Sequence, residues 1–320
     1  MSMDILKLAD EIIQGKRLKR TDDLSFFKNV DLDELCHGAD LIREKLCGNR
    51  VELCSIINGR SGRCSENCKF CAQSAHHHTD VQVYDFLAEE KIIDDCEYHD
   101  KKGVHRYSIV TAGRTLEGED LEKACKAYKR MYEKFSIKLC ASHGILTKDA
   151  FIRLKDSGVS MYHENIETSK RNFPNICTTH NFEDKINGIK LAHEVGLSVC
   201  SGGIIGMGEF FEDRIDMALT LAEFEVESIP INALMPIEGT GCGGIEVLSE
   251  NEILRTTAMF RYLNPESSIR LAAGRILMEN SGAKAFKAGV NATITGDMLT
   301  TSGNNIDEDK DMLISLGFEI

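Results

Sequence analysis

The chain has 320 residues, 42% of them hydrophobic and 28% charged, with a formal net charge of −13. That is enough for one large domain or two small ones, and the acidic balance excludes a phosphate-gripping basic surface or an anionic membrane as a partner. Twelve cysteines spread over so long a chain suit a reducing, cytoplasmic setting better than a disulfide scaffold. Met1-Ser2-Met3-Asp4 lacks the basic-then-apolar design of a signal peptide. No apolar run reaches membrane-spanning length.

Helical spacing of Ile5, Leu8, Ala9 and Ile12 predicts a helix over 4–14, stopped by Gly15. Leu35, Ala39, Ile42 and Leu46 predict a second over 32–46, stopped by Gly48. Then a unit repeats. Strands are expected at 51–57, 106–111, 136–141, 159–163, 197–201, 229–234, 268–272 and 290–295. Helices are expected between them at 87–98, 116–134, 148–156, 182–194, 211–224, 250–262 and 273–281. Gly158, Gly196 and Gly289 each stand just before a strand, where glycine closes a helix. This alternation predicts an α/β fold, a (β/α)8 TIM-type barrel over 51–300. The helices of 1–50 would cap one end, and 301–320 would form a C-terminal segment of the same single domain. A doubly wound open sheet is the alternative, weakened because no G-x-G-x-x-G follows an early strand.

After the first strand comes Cys64-Ser65-Glu66-Asn67-Cys68-Lys69-Phe70-Cys71, three thiols spaced C-x3-C-x2-C behind a polar, glycine-bearing lead-in. Thiolates are the protein ligands of iron–sulfur clusters, and a structural zinc wants four ligands. Three cysteines leave one metal corner open for chemistry. A zinc loop completed by His76, His77 or His78, or plain reduced cysteines, are the alternatives.

A barrel places its chemistry at strand C-terminal ends. Cys140 and Cys200 fall there, and Cys54 lies inside strand one. Taken singly, each is a common buried thiol. Arg270 sits between Ile269 and Leu271, and if buried it needs an anion. A thiolate-bound cluster would serve; so would a carboxylate or solvent at the strand edge. His163, Asn165 and Glu167 alternate, so they share one side of an extended segment.

The octet, with an aromatic before its third cysteine, resembles the signature of radical S-adenosylmethionine (SAM) enzymes. With the flanking Ser61-Gly62-Arg63 and Ala72-Gln73-Ser74, it closely resembles the biotin synthase family. The resemblance implies a [4Fe–4S] cluster on Cys64, Cys68 and Cys71, with SAM chelating the fourth iron. It implies an auxiliary [2Fe–2S] cluster, or a variant of it, on Cys140, Cys200 and Arg270. Where the family has a third auxiliary cysteine this chain has Ser108, a poor soft-metal ligand. Cys54 on the adjacent strand is inferred to replace it. Asn165 and Glu167 match SAM- and substrate-facing positions, and Asn232 matches the asparagine that approaches the substrate's ureido ring. His163 departs from the family's usual asparagine.

The implied reaction is SAM cleavage to a 5′-deoxyadenosyl radical, then sulfur insertion at C9 and C6 of dethiobiotin. Flavodoxin or ferredoxin would donate the electron, and a homodimer is implied. Two other readings stay open: a radical SAM maturase or carbon-skeleton mutase, and a non-catalytic zinc or iron–sulfur protein.

Overall fold

Asp4 accepts a hydrogen bond from Lys7 N and starts helix α1 (Ile5–Ile13); Asp31 does the same for Glu34 N at α2 (Leu32–Cys47). Both are N-cap carboxylates that satisfy otherwise orphaned amides. The computed structural model describes residues 4–296 and 304–320. Met1 to Met3 and the expected barrel end at 300 lie outside the described residues.

The strands are β1 (Glu52–Arg60), β2 (Arg106–Thr111), β3 (Lys138–Ser142), β4 (Val159–His163), β5 (Ser198–Cys200), β6 (Gly203–Ile205), β7 (Ser228–Ala233), β8 (Ser268–Leu271) and β9 (Ala292–Ile294). The remaining helices are α3 (Glu89–Lys101), α4 (Gly118–Lys134), α5 (Lys148–Asp156), α6 (Phe173–Ile176), α7 (Phe182–Glu194), α8 (Phe211–Glu223), α9 (Glu250–Leu263), α10 (Ala283–Phe286) and α11 (Ile306–Ser315). Every described strand pairing is parallel, and β1 pairs with both β2 and β9. The β5–β7 contact closes the ring. The nine segments fill eight positions, so the sheet is the expected (β/α)8 barrel, with β5 and β6 sharing the fifth.

That fifth position breaks for a chemical reason. Pairing runs Cys200↔Ser228 and resumes at Gly203↔Ile231. Between them β7 presents Pro230, which has no N–H to give. Gly202 lies so close that an added Cβ would sit 2.0 Å from Pro230 O.

The N-terminal helices dock on the outer layer beside the entry to β1. Tyr262 of α9 donates to Ile5 O at 3.1 Å, and Arg255 donates to Val30 O at 2.8 Å. Gly158, Gly196 and Gly289 all have positive φ, at 99°, 79° and 96°, as the turn before a strand requires.

The expected helix over 273–281 does not form. Gly274 and Gly282 take left-handed φ of 87° and 86°, and Asn280 and Ser281 follow at 46° and 53°. Two 3-10 turns, Arg275–Leu277 and Glu279–Gly282, replace it. This path carries the Arg275 guanidinium inward. It donates to Asp309 Oδ2 at 2.9 Å and Oδ1 at 2.7 Å, tying α11 to the barrel.

Between barrel and helices, Tyr107, Tyr128, Phe151 and Tyr162 are fully buried. His143 is 0% exposed, with Thr111 Oγ1 3.0 Å from Nδ1 and the Tyr128 hydroxyl 3.0 Å from Nε2. Hydroxyls can donate to one ring nitrogen and accept from the other, which suits a neutral imidazole. Burial pulls its pKa from 6.5 down to about 3, and Arg60 adds to this. Between those values the unfolded chain binds a proton that the folded chain refuses. Stability therefore falls as pH drops through this window, by at most about 1.4 kcal/mol per unit. Denaturant titrations at several pH values should show this slope, and His143→Gln should flatten it.

Candidate active site

The cysteine octet follows β1 and is closed by its own backbone. Cys64 N donates to Gln73 O at 3.0 Å, and Ala75 N donates to Cys64 O at 2.8 Å. Gln73 Oε1 accepts from Gly62 N at 3.1 Å. Burial pushes the Cys71 thiol up to about 11, with Cys64 and Glu167 raising it further. Cys68, raised first by burial, also feels Cys177, Glu167 and Cys71. Cys68 and Cys71 thus lie within electrostatic reach of Glu167, and Cys64 within reach of Cys71. His76 Nε2 lies 3.0 Å from Ser65 O, and His77 Nδ1 lies 2.9 Å from Cys71 O. They brace the loop through its carbonyls.

Glu167 has a left-handed backbone, φ 65°, and burial raises its carboxyl to about 7 against the pull of Lys185. Its Oε2 is buried with no hydrogen-bond partner among the described residues, an acceptor that suits a ligand hydroxyl. Asn165 Oδ1 accepts from Gly202 N at 3.2 Å. Asn232 donates to Gly203 O at 3.0 Å and accepts from Ala273 N at 3.2 Å. It ties the start of β6 to the segment after β8, and keeps one N–H and one lone pair for a ligand. The loop after β7 packs on the octet: Gly241 lies against the Lys69 side chain.

Deeper in the barrel, register aligns Cys54 with Arg106, Ser108 with Cys140 and Cys140 with Met161. It also aligns His163 with Cys200 and Cys200 with Ser228. Cys54, Cys140 and Cys200 are 1%, 0% and 3% exposed. Burial pushes the Cys54 thiol up to about 11, opposed by Arg270 and reinforced by Cys200. Cys140, raised mainly by burial, feels Cys54, Arg106 and Cys200. Cys140 and Cys200 pack in one buried cluster with Met161, and the Cys54 thiol is close enough to act on both electrostatically.

Arg270 is 2% exposed and does find a carboxylate: Nη2 donates to Glu52 Oε2 at 2.7 Å. Glu52 also accepts from Arg106 Nε at 2.7 Å. Burial opposes its charge, but Arg270 and Arg106 bring its carboxyl down to about 2. Two guanidiniums share one carboxylate, which leaves a positive surplus among the thiols. Desolvation, with Arg270 and Arg106, lowers His163 to about 3, so it stays neutral beside them. Ser108 Oγ is buried with no partner among the described residues. Soft donors, surplus positive charge and an unsatisfied hydroxyl fit an anionic iron–sulfur group.

Several members of these sites carry no sequence signal. Glu52 and Arg106 read as ordinary strand-end charges. Lys185 reads as one polar position of α7, yet its Nζ lies 2.7 Å from buried Glu164 Oε1. Thr179 and His180 read as helix-cap material, but only Asn181 caps α7. Thr179 Oγ1 donates to Glu66 Oε2 at 2.8 Å, and His180 Nδ1 lies 2.5 Å from the same oxygen. A cap can be read from local spacing; a contact across more than a hundred residues cannot.

Residues 60–222 match the Radical SAM superfamily, and residues 230–319 match the Biotin and Thiamin Synthesis associated domain. A biotin synthase of Alkaliphilus metalliredigens is 68% identical over 318 residues, covering 99% of this chain and all of the relative. One from Clostridium beijerinckii is 61% identical over 314 residues, covering 98% and 99%. Among solved structures, methylornithine synthase superposes with a TM-score of 0.85 at 19% identity, covering 98% of this chain and 96% of that one. A maturase of the [FeFe]-hydrogenase superposes at 0.84 with 17% identity, covering 99% and 75%. At such identity the likeness is one of fold. No helix among the described residues is long and apolar enough to cross a membrane.

Proposed function

The chain belongs to the biotin synthase family of radical SAM enzymes, and from that premise we propose how its own residues serve sulfur insertion at C9 and C6 of dethiobiotin. The observation that carries the reading is the pairing of two thiol sets in one barrel. One is the open octet beside Glu167; the other is enclosed with Arg270. A mutase or maturase of the same fold needs no second, sulfur-donating set.

Cys64, Cys68 and Cys71 would hold a [4Fe–4S] cluster at the mouth, and Cys140, Cys200, Cys54 and Arg270 an auxiliary cluster below. When bound, these groups and SAM supply the electron, the hydrogen-abstracting radical and the inserted sulfur. The residues supply position and dryness. Glu167 Oε2 accepts from the SAM ribose, and Asn165 holds the Gly202 backbone beside it. Asn232 offers its remaining N–H and lone pair to the ureido ring. Burial of the three inner thiols and of Ser108 excludes water that would quench radical chemistry. Arg106 and Arg270 neutralise anionic charge at the inner set, with Glu52 keeping them oriented. A flavodoxin- or ferredoxin-type donor, a homodimer and a cytoplasmic setting complete the proposal.

Anaerobic reconstitution with iron and sulfide, followed by dithionite, SAM and dethiobiotin, tests it by mass spectrometry. Biotin with 5′-deoxyadenosine is the expected result; deoxyadenosine without biotin, from chain whose iron content shows both clusters assembled, would reject dethiobiotin as substrate. At pH 8, above the Glu167 value of about 7, Glu167→Gln removes a charged acceptor, and such a bond contributes roughly 1.5–3 kcal/mol. SAM titrations of deoxyadenosine formation should then need about 10-fold more SAM or beyond.

A further inference from the structure

The segment after α6 is fastened to the cysteine octet residue by residue. Lys69 N donates to Ile176 O at 3.0 Å. Asn67 N donates to Thr179 Oγ1 at 3.1 Å, and Asn67 Oδ1 accepts from Thr178 N at 2.9 Å. This lacing brings Cys68 Sγ, Cys177 Sγ and His180 Nδ1 within 4.8 Å of one another. Cys177 Sγ lies 3.3 Å from His180 Nδ1. Cys177 is 4% exposed, and the His180 side chain is 5% exposed. Glu66 Oε2, beside His180 Nδ1, also accepts from Arg114 Nη1 at 3.2 Å.

Ligand atoms around a tetrahedral zinc stand roughly 3.3–3.8 Å apart, given metal–sulfur and metal–nitrogen bonds of about 2.3 and 2.0 Å. The trio needs little adjustment to reach that spacing. Two thiols and an imidazole prefer zinc, cobalt or ferrous iron over magnesium or calcium. Glu66 Oε2, hydrogen-bonded to His180 Nδ1, stands outside the trio, so the fourth position is left to solvent. None of this is needed to hold three corners of a cluster, and Cys177 and His180 have no part in the site proposed above.

We propose that Cys68, Cys177 and His180 form a mononuclear site for a borderline divalent cation, zinc above all, which competes with the octet's cluster for the Cys68 thiolate. On binding, each thiol gives its proton to solvent, His180 Nδ1 gives up its hydrogen bond to Glu66 Oε2 and coordinates as the neutral imidazole protonated at Nε2, and the ion sheds water. The competition rests on assigning Cys68 to the cluster; the site itself does not. A zinc-loaded chain would refuse the cluster, which makes this corner of the loop a checkpoint on assembly.

Cobalt(II) is the probe, titrated anaerobically into the full chain after its iron has been removed with a chelator. One cobalt per chain with thiolate-to-metal charge-transfer bands is expected, displaced by zinc. Cys177→Ala and His180→Ala should each weaken binding at least about 10-fold, with far-ultraviolet circular dichroism confirming that both variants fold. Cys64→Ala should leave the cobalt spectrum unchanged. Loss of the bands in Cys64→Ala with retention in Cys177→Ala and His180→Ala would overturn the site, since the octet alone would then hold the ion. In a second arm, one equivalent of zinc added before iron and sulfide should block the cluster chromophore in the unaltered chain and not in Cys177→Ala. Equal chromophore formation in both, with zinc present, would overturn the competition. The chromophore of Cys177→Ala without zinc reports separately on the octet's cluster.

Discussion

Cys54→Ser is expected to lower biotin formation by at least about 100-fold, above the loss typical of altering an outer-shell partner, while 5′-deoxyadenosine continues to form. Iron per chain should fall to the complement of the octet's cluster alone. Cys54 is 1% exposed, and its thiol feels Arg270 and Cys200 directly. Serine keeps the shape but substitutes a hard, protonated oxygen for a thiolate. Ser108→Ala is the contrast. Ser108 lies opposite Cys140 and already contributes no thiolate, so its loss should leave iron content and spectrum intact. Unchanged iron and an unchanged auxiliary spectrum in Cys54→Ser would refute the substitution of Cys54 for the family's strand-two cysteine.

The second large effect concerns stability. Asp309→Ala should cost about 3–5 kcal/mol, the usual result of stranding one member of a buried ion pair. Arg275 and Asp309 side chains are only 3% and 2% exposed. Arg275 also donates to Ser281 O at 2.9 Å and Thr293 Oγ1 at 3.1 Å, so it cannot swing out to water cheaply. The joint replacement Arg275→Leu with Asp309→Leu should lie closer to the unaltered chain, since paired apolar groups leave no buried charge behind. Denaturant midpoints compare the three. If Asp309→Ala proves as stable as the unaltered chain, α11 is not anchored through this pair.

Much of the barrel was legible because its signals are local. The strands at 106–111 and 159–163 and the helices at 148–156 and 182–194 coincide with the observed elements, where apolar period and a terminal glycine or cap agree. The helix expected at 273–281 failed because Gly274, Asn280, Ser281 and Gly282 all adopt left-handed backbone, which periodicity does not reveal. The interruption between β5 and β6 was likewise hidden: its cause, Pro230, lies on another strand.

By itself the sequence determined the cysteine spacing, the strand–helix alternation, and which thiols and which arginine lie on strands. Each of these depends on residues a few positions apart, so pattern suffices. Only the tertiary structure decided which charges meet. It placed Glu52 between Arg106 and Arg270, Lys185 on Glu164, and Cys177 with His180 against Cys68. Those partnerships join segments far apart in the chain. Register across the closed sheet and the lacing of loops at its mouth create them, and neither is written in any single stretch of residues.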